Sequence, residues 1–147
     1  MRIARSWLLA TGLCLASGVA AFFAGTTIGG ETAAPSEVVY ELRTYTMAPG
    51  RLDAINARFR DHTMRLFEKH GIKNIAYWVP TDEPLSKNTL VYIIEHNSRD
   101  AAKKAWDAFR VDPEWKKVKA ESEKDGPIVT SVKSVYMSPT DYSPKLK

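Results

Sequence analysis

The chain has 147 residues, 44% of them hydrophobic and 26% charged, and a net charge of +4 from 21 basic and 17 acidic side chains. That length suits one domain with one core, and the composition is ordinary for a soluble globular protein. The densest basic run, Lys116-Lys117-Val118-Lys119, is offset by Glu114, Glu121 and Glu123, so it reads as a solvated helix face and not as a nucleic-acid patch.

The N-terminal segment is a different material. Arg2 and Arg5 precede an uncharged run from Ser6 to Gly30, with an apolar centre from Trp7 to Ala24. This is the pattern of an export signal, with small residues at Val19-Ala20-Ala21 for cleavage. The expected organisation is a leader and spacer over residues 1–33 and one domain over residues 34–147, placed in the periplasm or outside the cell. A retained leader would instead act as a membrane anchor. Cys14 is the only cysteine and lies in the leader. The domain therefore has no disulfide, thiol nucleophile or Cys-ligated metal.

The first strand is expected over Val38 to Met47, a β-branched and aromatic run closed by Pro49-Gly50. Alternation puts Val38, Tyr40, Leu42, Thr44 and Thr46 on one face, and Val39, Glu41, Arg43, Tyr45 and Met47 on the other. An acid, a base and a phenol thus share a face, where Glu41 and Arg43 must pair or meet a ligand. A helix follows over about residues 51–70, with Leu52, Ile55, Phe59, His62, Thr63, Leu66, Phe67 and His70 on its apolar face and Gly71 as its stop. Two strands, residues 72–79 and 90–96, flank a polar loop. A capped helix then begins near Asn97-Ser98-Arg99-Asp100, with Ala102, Ala105, Trp106 and Phe109 as its buried stripe. Asp112-Pro113 starts another helix, and Gly126-Pro127 separates it from a last strand over residues 128–137.

The order strand, helix, strand, strand, helix, helix, strand predicts an α+β, ferredoxin-like βαββαβ domain with a four-stranded antiparallel sheet. Helices then cover one face of the sheet only. The face carrying Glu41, Tyr45 and Met47 is expected to be the uncovered one, and two copies packing on it would form a homodimer.

Tyr40-Glu41-Leu42-Arg43-Thr44-Tyr45, Pro49-Gly50, His70-Gly71, Tyr77-Trp78, Trp106, Asp112-Pro113-Glu114-Trp115 and Tyr142-Ser143-Pro144 together resemble the NIPSNAP family over about residues 38–144. The resemblance implies a ferredoxin-like fold assembling as a dimeric α+β barrel. It also implies kinship with quinol-type monooxygenases, haem-degrading enzymes and stress-responsive barrel proteins. It supplies no catalytic motif to carry over.

The candidate functional residues come from the strands and the first helix. Arg43, Tyr45, Trp78 and Glu95 are the expected ligand-binding set, and Glu41, His62 and Tyr45 are the candidates for any catalysis. Glu41 and Glu95 could share a cavity where burial shifts a pKa, or each could pair with Arg43. His62 and His70 are eight positions apart on one helix and cannot share a metal ion. No metal and no cofactor is expected. Two functions stand open: a module binding a small organic molecule, an anion included, or a protein partner, and a cofactor-independent monooxygenase or isomerase with Glu41 or His62 as base and Tyr45 as donor. Nucleic acid is not an expected partner.

Overall fold

A computed structural model describes residues 37–144; the leader expected over most of residues 1–33 lies outside the described residues. Strand β1 (Val39–Met47) leads into α1 (Leu52–Arg58), a π-helical turn (Phe59–Thr63) and α2 (Met64–Lys69). Strands β2 (Lys73–Trp78) and β3 (Thr89–His96) follow, then α3 (Arg99–Val111), α4 (Pro113–Ser122) and β4 (Val129–Met137). The strands form one antiparallel sheet in the order β2-β3-β1-β4. This is the ferredoxin-like α+β fold. Strand β1 lies inside the sheet because its run of β-branched and aromatic residues has no proline to interrupt either ladder.

The two faces of β1 are assigned opposite to the sequence expectation. Val39, Glu41 and Met47 are buried, and Tyr45 packs edge-on against Phe59 of the π turn and Tyr92 of β3. Glu41 and its face-mates therefore look toward the helices. The uncovered face carries Tyr40, Leu42 and Thr44, whose partners on β3 are Glu95, Ile93 and Val91. Both sets of β1 residues mix apolar and polar side chains, so alternation separates the faces without saying which one the helices cover.

The covered face builds the core. Phe59 and Phe67 from the first helical segment and Trp106 and Phe109 from α3 close over Tyr92, which is fully buried. The expected single helix over residues 51–70 is interrupted by the π turn, where the Thr63 hydroxyl donates to the Arg58 carbonyl at 3.1 Å. His62, expected on the apolar face, is exposed there, whereas Arg58 is buried against Glu123 at 2.9 Å. In β2, a register shift between Asn74 and Ala76 puts Asn74 beside Tyr77, whose hydroxyl donates to the Asn74 amide oxygen at 2.5 Å. Strict alternation would have kept those two side chains on opposite faces.

Both later helices begin on side-chain caps. The Ser98 hydroxyl accepts from the Ala101 N–H, so Ser98, not Asn97, is the cap of α3. Asp112 caps α4 by accepting from the N–H groups of Glu114 and Trp115, with Pro113 in the first turn. Its second oxygen binds Lys69 Nζ and His70 Nε2, both at 2.7 Å, which ties the end of α2 to the start of α4.

Those hydrogen bonds, first from Lys69 and then from His70, hold the Asp112 carboxyl below its ordinary 3.8. A depressed carboxylate pKa gives stability that is present above the ordinary value and is lost as pH falls through the shifted one. Asp112→Asn should therefore lower the Tm at neutral pH and flatten its decline below about pH 4. Thermal melts across acid pH check this; parallel wild-type and mutant curves would refute the assignment.

Candidate functional site

Glu41, near the centre of the covered face, gathers donors from four elements. Its Oε2 accepts from the Trp106 indole N–H at 2.7 Å and from His96 Nε2 at 3.0 Å. Its Oε1 accepts from the Ser134 hydroxyl at 2.6 Å and from the Arg43 guanidinium at 2.5 Å. Glu41 is 1% exposed, so a carboxylate with fewer partners there would be costly. The ring nitrogen of His96 that faces this ionised group must carry hydrogen.

Burial alone would raise the Glu41 pKa. Hydrogen bonds from His96, Ser134 and Trp106 and the charge of Arg43 outweigh it and bring the group from 4.5 down to about 2. Glu41 is a fixed anion at any physiological pH, with its lone pairs engaged. It is not placed to act as a general base.

Arg43 is held between this carboxylate and aromatic rings. Its Cζ lies 4.3 Å from the Trp106 ring centroid and 5.5 Å from that of Tyr45, within cation–π range. Burial works against its charge, but the Tyr45 and Tyr92 phenols and Glu41 keep its pKa above the ordinary value.

Above these residues a cavity of about 680 Å³ opens between the sheet and the pair α3–α4. Its floor is Glu41, Arg43 and Tyr45 from β1 with Ser134 and Tyr136 from β4. Trp106, Phe109 and Trp115 form apolar walls, and Arg99, Lys103, Arg110 and Lys119 stand around it with one acid, Asp100. Lys103 and Arg110 share Asp107 at 2.8 and 3.0 Å, and Lys119 is 3.9 Å from Glu123. Arg99 has no ion-pair partner among the described residues; its Cζ sits 3.4 Å from the Tyr136 ring centroid. The cavity thus has a positive mouth and aromatic walls.

The structure brings Glu41, Arg43 and Tyr45 together and leaves the other sequence candidates elsewhere. Glu95 pairs across from Tyr40 on the uncovered face and binds Lys73 at 3.1 Å, so it shares no cavity with Glu41. Trp78 is 50% exposed at the end of β2, opposite Val91 and hence also on the uncovered face. His62 lines a surface groove between the first helical segment and α4. Among the described residues no group of three or more His, Cys, Asp or Glu is placed to hold a metal ion.

Four contributors to the site carry little functional signal in the sequence. Trp106 fits the buried stripe of its helix, His96 ends a strand, Arg99 falls at a helix start and Ser134 lies within the last strand. Ser134 has one usable signal, a hydroxyl that alternates with Val132 and Tyr136 on one face of its strand.

The family model described as NIPSNAP matches residues 40–144. Comparison with curated proteins returns no match. Among solved structures, a NIPSNAP-like domain protein from Burkholderia xenovorans is similar at 17% identity and TM-score 0.65, over 76% of this chain and 92% of that one. A NIPSNAP family protein of unknown function from Agrobacterium tumefaciens is similar at 22% identity and TM-score 0.64, over 78% and 97%. SnoaB, a cofactor-independent oxygenase from Streptomyces nogalater, shares 14% identity at TM-score 0.51, over 75% and 100%. These likenesses fix the fold.

The Glu41 network sets an order of mutational costs. Glu41→Gln turns a four-fold acceptor into a group with its own N–H donors facing other donors, and leaves Arg43 unpaired; it should cost about 3–5 kcal/mol. Arg43→Met leaves Glu41 three hydrogen bonds and should cost about 1–3 kcal/mol. The double mutant should be more stable than the sum of the two losses. Denaturant melts decide; Arg43→Met costing more than Glu41→Gln would defeat this account. The wild-type contribution of Glu41 should also disappear as pH falls from about 4.5 toward 2, the sign expected of a depressed carboxylate.

Proposed function

The chain belongs to the NIPSNAP family, and from that premise we propose that it is a binding protein for a small organic anion held over Arg43 between the sheet and α3–α4. The observation that carries this reading is the pairing of a cavity of about 680 Å³ with a cation at its mouth, Arg99, that has no ion-pair partner among the described residues. Aromatic walls supply apolar contact area, and the fixed Arg43 gives the floor a permanent positive edge.

Base catalysis through Glu41 is disfavoured by its four donors and its low pKa, and His62 does not line this cavity. The oxygenase among the fold neighbours therefore lends this chain its architecture and not a mechanism.

Calorimetry with a panel of monocarboxylates, benzoate and octanoate among them, tests the proposal. At least one acid should bind, and Arg99→Glu should weaken it tenfold or more while leaving the Tm unchanged. The absence of binding by every acid in the panel would end the proposal, as would full affinity in Arg99→Glu.

We also propose that two copies associate through the uncovered sheet face. Leu42, Val91, Ile93, Trp78 and Val135 form an apolar surface there, with Trp78 and Val135 50% and 55% exposed. Light scattering on residues 34–147 should give a dimer, and Val135→Glu should shift it to a monomer. A wild-type monomer at micromolar concentration would contradict this.

A further inference from the structure

A second cavity of about 360 Å³ lies beside the first, and the two share the walls Tyr45, Phe109, Trp115 and Lys119. They adjoin along α4 as two halves with those walls in common. The halves differ in chemistry. The first holds Arg43 and Arg99 with the Ser134 and Tyr136 hydroxyls. The second is walled by Phe59, Phe67, Pro127, Val129 and Val132. Its charged residues are largely accounted for: Arg58 is bound to Glu123 at 2.9 Å and lies over the Trp115 ring. Phe59 and Thr63, the two ends of the π turn, both line this half, and an interruption of that kind in an α-helix recurs at functional sites.

A polar, cationic half joined to an apolar half is the shape of a ligand with one charged end and an apolar body. Resting on the anion-binding reading above, we propose that the ligand is an amphipathic monocarboxylic acid. Its carboxylate meets Arg99 at the mouth, and its hydrocarbon body passes Trp115 to end against Phe59 and Val132. Among the described residues Arg99 is the one cation of this half without an ion pair, which argues for one negative charge: Arg43 is held by Glu41, Lys103 and Arg110 by Asp107 and Lys119 by Glu123, and Asp100 would repel a second carboxylate. The head-to-tail order follows from the walls: no aliphatic side chain lines the first half, and valines and a proline line the second.

Calorimetric titration with butyrate, octanoate and octanol reads this out. Four further methylenes entering the apolar half should tighten octanoate over butyrate by on the order of a hundredfold. Octanol should bind at least tenfold more weakly than octanoate. Val132 is 46% exposed on the edge strand, so Val132→Glu should fold; it should cut the octanoate advantage below about tenfold and leave butyrate affinity unchanged. Equal affinities for butyrate and octanoate, octanol as tight as octanoate, or a Val132→Glu protein with its chain-length dependence intact would each overturn the proposal. In all three cases an acid that still loses affinity in Arg99→Glu keeps the anion-binding reading alive, so the two can fail separately.

Discussion

A carboxylate removed from water on a strand inside a sheet is tolerable only if nearly every lone pair is met, and at Glu41 the fold supplies four donors to meet them. Those donors come from β1, β3, α3 and β4. Seating the carboxylate therefore constrains the register of the central strands, the depth at which α3 lies on the sheet, and the approach of the edge strand. Trp106 shows the coupling well: its ring packs on Phe67 and Phe109 while its N–H points at Glu41. Displacing α3 would break a hydrogen bond and a core contact together.

The same network decides what chemistry the site has left. With Glu41 held ionised and saturated, the remaining polar surface of the cleft is mostly donors, guanidinium, ammonium, phenol and hydroxyl groups, against the two carboxylates Asp100 and Glu123. Such a surface favours acceptors and anions. The cleft is thus built around an internal anion whose main effect is to fix Arg43. A guanidinium already stacked and bonded loses little conformational freedom when a ligand arrives, and that preorganisation favours affinity.

Much of the architecture was legible in the sequence because its signals are local. The strand and helix order, the Asp112-Pro113 start of α4 and the Glu41–Arg43 pair all rest on spacings of a few residues. The rest of the site was not legible because its partners lie 55, 65 and 93 residues from Glu41. A single sequence gives no way to tell that Trp106 turns its N–H toward one particular carboxylate. The misassigned sheet face has a similar cause, since Val39 and Met47 on one side of β1 are matched by Tyr40 and Leu42 on the other. The π turn escaped because nothing in Phe59-Arg60-Asp61-His62-Thr63 disfavours a regular helix; its buried threonine hydroxyl is satisfied only in the folded geometry.

Strand β1 also divides the labour of the molecule by parity. Odd-numbered residues from Val39 to Met47 face the helices and the cleft, while Tyr40, Leu42 and Thr44 face the uncovered side. Adjacent residues such as Leu42 and Arg43 therefore belong to different surfaces although their backbones are joined. A slip of one residue would exchange the two sets, driving Leu42 under α3 and turning Glu41 and Arg43 outward. The Glu41 network opposes that slip strongly, since outside its pocket the carboxylate finds neither Trp106 nor His96. The buried ion pair thus serves as a register lock for the sheet, and an orderly apolar surface on the far side follows from the same constraint that seats Arg43 beneath the cleft.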